Sequence, residues 1–161
     1  MKNGKIPVYR VRKQFKFECG HQLFRSYSKV CSDTIHGHSF VVEFVFESNE
    51  LDEAQMVVDF GQVSDIFKQW IDKMFDHALL ISDAHPREYL DTLMKYNKKV
   101  RINSWEPTAE NLARYIYQFI SDRKLHKPGH LIPEGIRVHS VRVHETLTGW
   151  AEYMEVNDVT G

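Results

Sequence analysis

The chain has 161 residues, 42% hydrophobic and 27% charged, with a formal net charge of -1. That length supports one domain spanning residues 1–161 with its own core, and the near-neutral charge gives no footing for nucleic acid or an acidic membrane. No apolar run approaches a membrane span, the N-terminus has no signal-peptide core, and Cys19 and Cys31 are too few for a disulfide framework. The expectation is a cytoplasmic protein with reduced thiols and with neither nucleic-acid nor membrane partners.

In chain order, residues 8–19 predict a first strand with Phe15, Phe17 and Cys19 on one face. Residues 22–34 predict a polar loop that carries Cys31. Residues 36–47 predict a second strand whose even positions, His36, His38, Phe40, Val42, Phe44 and Phe46, share a face. After a turn over 48–55, Phe60, Val63, Ile66, Phe67, Trp70, Ile71 and Met74 recur at helical spacing and form a core stripe. A structureless run over 81–105 would be unusually long. Residues 86–96 therefore predict a helix, with Pro86 at its first position and Tyr89, Leu90, Leu93 and Met94 as its stripe. A second main helix begins near Pro107, with Thr108 as N-cap, Glu110 in the first turn, and Leu112, Tyr115, Ile116, Phe119 and Ile120 facing inward. Residues 127–135 predict a loop. Residues 137–145 and 150–156 predict a closing hairpin. The basic clusters at 98–101 and 123–127 read as solvated turns. The order is ββααββ with antiparallel pairs.

The chemistry centres on Cys31-Ser-Asp-Thr-Ile-His36-Gly-His38, with His21 upstream. Residues two apart on a strand point the same way, so His36 and His38 leave one face, and Gly37 between them adds no bulk. His21 closes the first strand-like run. If the two runs pair antiparallel, the end of one lies beside the start of the other, and three imidazoles converge. Three histidines without a fourth protein ligand describe a catalytic zinc site with an open position. Zinc there acts as a Lewis acid and eases removal of a proton from a neighbouring carbon, which requires a base. Cys31 sits on the polar loop that feeds the site, where nearby positive charge favours a thiolate. Asp76-His77 supplies a second acid–base group: a carboxylate can set the tautomer of a histidine, although neighbours in sequence need not touch. Glu145 ends the alternation Val141-Arg-Val143-His-Glu145, a place where a carboxylate needs a partner such as a ligand with paired N–H donors.

Together these motifs resemble the 6-pyruvoyl-tetrahydropterin and 6-carboxytetrahydropterin synthase family. The matching stretches are Phe17-x-x-x-His21, Cys31 ahead of His36-Gly37-His38, Val58-Asp59-Phe60, Asp76-His77-x-x-Leu80, Pro107-Thr108-x-Glu110-Asn111 and Glu145-Thr146. They run in the family's order from about residue 9 to 156. The resemblance implies an α+β tunnelling fold (T-fold): an antiparallel sheet with two main helices on one face, joined into a barrel on oligomerisation as a homohexamer, a dimer of trimers. It implies one Zn2+ per subunit on His21, His36 and His38, with Cys31 removing the proton and Asp76 and His77 as a relay. Glu145 would grip the pterin edge, and Thr108 and Glu110 would line the pterin pocket. The implied enzyme is a lyase acting on 7,8-dihydroneopterin triphosphate. Its carboxy-forming branch yields 6-carboxy-5,6,7,8-tetrahydropterin, acetaldehyde and triphosphate on the route to queuosine. The alternatives are the pyruvoyl-forming synthase, or a pterin- or metal-binding T-fold protein without turnover. Retention of Cys31, Asp76 and His77 speaks against the last. The segment 83–103 is longer than in compact members, Ile81 stands where Asn often follows Asp-His, and Cys19 replaces a small residue.

Overall fold

The computed structural model describes residues 5–122 and 135–156. Ten elements follow in order: β1 (Tyr9–Gln22), α1 (Lys29–Asp33), β2 (His36–Ser48), α2 (Phe60–Met74), β3 (Ala78–Ser82), α3 (Arg87–Tyr96), β4 (Val100–Asn103), α4 (Ala109–Asp122), β5 (Arg137–His144) and β6 (Trp150–Tyr153). The strands form one sheet in the order β4-β3-β1-β2-β5-β6. β1 pairs antiparallel with β2 from Tyr9↔Ser48 to His21↔His36, β2 with β5, and β5 with β6.

The ββααββ frame is present, with one correction. The sheet is mixed, because β3 runs parallel to β1 and β4 runs parallel to β3. A parallel neighbour needs a crossover, and α3 supplies the one between β3 and β4. The basic cluster at 98–101 is accordingly no solvated turn. Val100 and Arg101 pair with Leu79 and Leu80, and Lys99 Nζ donates to the carbonyls of Asp72, at 2.7 Å, and Asp76. The polar loop holds the short helix α1. Pro86 occupies the N-cap of α3, not its first position. Of the residues in the predicted helical stripes, Phe60 and Met94 point outward. The cluster at 123–127 and nearly all of the 127–135 loop lie outside the described residues.

The core lies between one face of the sheet and the two long helices. Phe15 and Phe17 of β1 and Phe40, Phe44 and Phe46 of β2 meet Val63, Phe67 and Ile71 of α2 and Leu112, Ile116 and Ile120 of α4. Phe17 stacks on Phe40 with ring centroids 5.2 Å apart. The Asp59 carboxylate caps α2 by accepting from the Gly61 and Gln62 amides, and the Thr108 hydroxyl accepts from the Asn111 amide at 3.3 Å as α4 begins. The opposite face is polar yet partly buried. Glu43 and Glu47 are 2% and 5% exposed. Gln14, Arg12 and His144 surround Glu43, while Arg10, Arg137 and His139 surround Glu47. Burial pushes both carboxyls up, but these partners outweigh it and hold them below the ordinary range.

Candidate metal centre and acid–base residues

His21 lies inside β1, which runs one residue past it, and faces His36 directly across the β1–β2 ladder, while His38 faces Cys19. All three imidazoles leave the helix-covered face, with His21 and His38 edge-on to Phe40. The ladder is tight at this end. A Cβ on Gly37 would come within 3.1 Å of the Cys19 carbonyl oxygen, so glycine permits the close approach of the two strands. One nitrogen from each ring lies within 4.8 Å of the others.

Hydrogen bonds set the tautomers. His21 Nδ1 donates to the Pro107 carbonyl at 2.9 Å, and His36 Nδ1 donates to the Thr34 carbonyl at 3.1 Å. A carbonyl only accepts, so each Nδ1 carries a proton, and a neutral ring then has its lone pair on Nε2. Those two Nε2 atoms stand 3.0 Å apart. Burial pushes the His21 imidazole from its ordinary 6.5 down to about 4, with the Pro107 carbonyl opposing and His36 and His38 adding to the fall. His21 is therefore neutral at pH 7. Wherever both rings are neutral, the two lone pairs facing each other repel, and a cation between them removes the repulsion. The outer carbonyls and the neutral Nε2 donors match what zinc takes from histidine.

Glu145, just past β5, joins this group. Its Oε1 is 3.5 Å from His21 Nε2 and 3.9 Å from His38 Nε2, on the partly exposed side of the triad. The turn after it is closed by the Gly149 amide donating to the Thr146 hydroxyl at 2.9 Å. Thr108 lies close behind His21, since Pro107 is the residue whose carbonyl His21 holds. Its hydroxyl is engaged in the cap of α4, whereas Glu110 is exposed in the first turn.

Asp76 and His77 make a formed dyad, with His77 Nδ1 donating to Asp76 Oδ2 at 2.7 Å. The pair is fixed to β1. The Glu18 amide donates to Asp76 Oδ1 at 3.0 Å, and the His77 amide donates to the Glu18 carbonyl at 2.6 Å. His77 adopts a φ of 55°, a left-handed conformation uncommon outside glycine. Strain of this kind persists where surrounding bonds enforce it and clusters at functional sites. The Glu18 amide, together with His77 and Lys99, holds the Asp76 carboxyl below its ordinary range. The His77 ring is 80% exposed.

The dyad and the triad occupy one end of the sheet but are not joined in a single chain. His77 borders a cavity of about 640 Å³ that His38 of the triad also lines, with Glu18, Gly20, Gly37 and Ser39 on its floor. Those positions alternate with the triad along β1 and β2 and so face the other side of the sheet. Cys31 lies on α1, partly exposed, and its thiol makes no hydrogen bond among the described residues. Cys19 is its opposite: buried, its thiol donates to the Ala78 carbonyl at 3.2 Å, and burial pushes it up to about 12. Sequence reasoning missed the Pro107 and Thr34 carbonyls and the Lys99 ammonium. Backbone carbonyls carry no residue-type signal, and Lys99 reads as one charge in a basic run.

The profile of the 6-pyruvoyl tetrahydropterin synthase family matches residues 10–156. The chain belongs to this family. A protein of Aquifex aeolicus called 6-carboxy-5,6,7,8-tetrahydropterin synthase is 34% identical over 163 residues, covering 91% of this chain and 98% of its own. A Helicobacter pylori protein of the same name is 34% identical over 143 residues, covering 88% and 70%. Among solved structures, an uncharacterised protein from Wolinella succinogenes superposes with a TM-score of 0.77 at 22% identity, covering 93% of this chain and 99% of its own. That likeness shows the fold, the tunnelling fold expected from the motifs. Among the described residues, no helix is long and apolar enough to cross a membrane.

Proposed function

We propose that this family member is a zinc-dependent 6-carboxy-5,6,7,8-tetrahydropterin synthase, a lyase acting on 7,8-dihydroneopterin triphosphate with release of acetaldehyde and triphosphate. The observation that carries the reading is the donor set itself: two imidazole Nε2 atoms held 3.0 Å apart, each ring anchored through Nδ1 on an outer carbonyl, with His38 completing a three-nitrogen cluster. The name shared by the two relatives at 34% identity supports the choice of product.

Zinc, when bound by His21, His36 and His38, supplies a Lewis acid for the side-chain hydroxyls of the substrate. Cys31 takes the proton from the carbon beside them. His77, with Nδ1 committed to Asp76, has Nε2 free to receive or return a proton, and Asp76 stabilises its charged form. Glu145 accepts two parallel hydrogen bonds from the amino-pyrimidine edge of the pterin, beside the metal ligands. Thr108 and Glu110 border the pterin at the start of α4.

The same reading makes the working unit a homohexamer whose sites combine groups from neighbouring copies. Two features support it. Among the described residues, no hydrogen bond joins the dyad to the triad within one chain. Of β1, β3 covers only Cys19–Gln22, so the outer edge of β1 from Tyr9 to Phe17 has no strand partner among the described residues. An open edge of that length favours pairing with a second copy. The proposed setting is the cytoplasmic route to queuosine and related deazapurines.

The pyruvoyl-forming reaction is the second reading, favoured by the name of the family profile. Product analysis separates the two. Pure protein incubated with 7,8-dihydroneopterin triphosphate is expected to release one acetaldehyde per triphosphate and accumulate the 6-carboxy product. Triphosphate release with a pyruvoyl product and no acetaldehyde would transfer the assignment to the second reading.

A further inference from the structure

α1 cannot hold its own place. It has five residues, none of them buried, and no side-chain cap. A helix this short lacks the hydrogen bonds to sustain itself in water. Yet it carries Cys31, the proposed base, whose distance from the metal must be fixed if proton removal is to be efficient.

The tethers run to β1 and α3. The Leu23 amide donates to the Cys31 carbonyl at 3.0 Å, and Gln22 Nε2 donates to the Ser32 carbonyl at 2.6 Å. Gln22 follows the metal ligand His21, so both tethers tie the loop to the strand that bears the metal site. The Gln22 amide is itself oriented from outside. The Tyr89 hydroxyl on α3 donates to Gln22 Oε1 at 2.6 Å, which turns the NH2 group toward Ser32. Burial pushes the Tyr89 phenol up, so it stays protonated and donates. A second contact chain runs alongside: Phe24 at the start of the loop packs on His85 at 4.8 Å between centroids, and His85 packs on Tyr89 at 5.3 Å. Gln22 and His85 are 7% and 6% exposed, so these bonds are shielded from competing water.

We propose that Tyr89, acting through Gln22, is a positioning residue that fixes Cys31 relative to the zinc site. On this view the long 83–103 segment is a strut for the catalytic loop. The inference rests on Cys31 being the base, and the test separates the two claims. Tyr89→Phe removes one hydroxyl and keeps the ring that packs on His85. It is expected to leave zinc at one per chain and KM within about twofold, while kcat falls about tenfold, the scale set by a small misplacement of a reacting group. Iodoacetamide should alkylate Cys31 severalfold faster in the variant; Cys19, buried with its thiol at about 12, does not compete. Gln22→Met should reproduce the loss, and the double variant should be no slower than Gln22→Met alone, since both break one chain of contacts. If Gln22→Met fails to fold, Tyr89→Phe decides. Wild-type kcat and alkylation rate in Tyr89→Phe, beside an inactive Cys31→Ala, would overturn the strut and leave the base intact. A lowered Tm with kcat and alkylation unchanged would reduce Tyr89 to packing and overturn it equally. An active Cys31→Ala would overturn the base and the strut's catalytic purpose with it.

Discussion

Replacing His36 or His38 with alanine is expected to strip the chain of zinc. Each variant removes one of three donors from a site that offers no fourth histidine among the described residues, leaving two imidazoles to hold the ion. The loss should far exceed the roughly 10–100-fold that follows removal of an outer hydrogen-bond partner. Metal analysis of the purified variants should find less than about a tenth of the wild-type content for a site of this ligand number. These two positions are the right ones to change. Both are partly exposed, whereas His21 is fully buried and holds the Pro107 carbonyl, so its loss would confuse folding with binding. Wild-type zinc in both variants would remove the triad from the account.

Cys31→Ala is expected to keep fold and zinc and lose turnover. The thiol lies on a surface helix with no buried residue and no hydrogen bond of its own, so alanine costs little packing. What is lost is a positioned acid–base group, which contributes roughly 10²–10⁴-fold in rate. His77→Ala should fall in the same range, because its side chain is exposed and its structural anchors are backbone bonds to Glu18 that alanine keeps. Alanine must still adopt φ 55°, so thermal melting belongs beside the rate measurement. Full activity of Cys31→Ala with zinc bound would send the search for the base elsewhere.

The triad was legible because it depends on the two simplest regularities of a strand. Side chains repeat every two residues, which aligned His36 with His38. Antiparallel pairing brings ends to starts, which brought His21 to His36. The long helices were legible from their apolar spacing. β3 and β4 were not. They have five and four residues, and β4 is hidden in a basic run whose Lys99 is consumed by carbonyls of Asp72 and Asp76. Pattern arguments need more turns of the period than such strands provide. The Asp76–His77 contact was equally out of reach, since it depends on a left-handed His77 pinned to Glu18 some sixty positions away in sequence. The polar face hid its burial for a related reason. Glu43 and Glu47 alternate with the core positions of β2, and their enclosure by arginines of β1 and β5 depends on pairing between strands distant in sequence. The strut from Tyr89 to the Cys31 loop joins two segments that share no periodicity at all.

The most direct test of the central claim, that the three-histidine centre supports the chemistry, is metal removal and return. Protein stripped with a chelator and cleared of it is expected to show no turnover of 7,8-dihydroneopterin triphosphate. Activity should return in proportion to added zinc and level off at one ion per chain, with no recovery in His36→Ala or His38→Ala. Metal-free protein turning over at the wild-type rate would contradict the account.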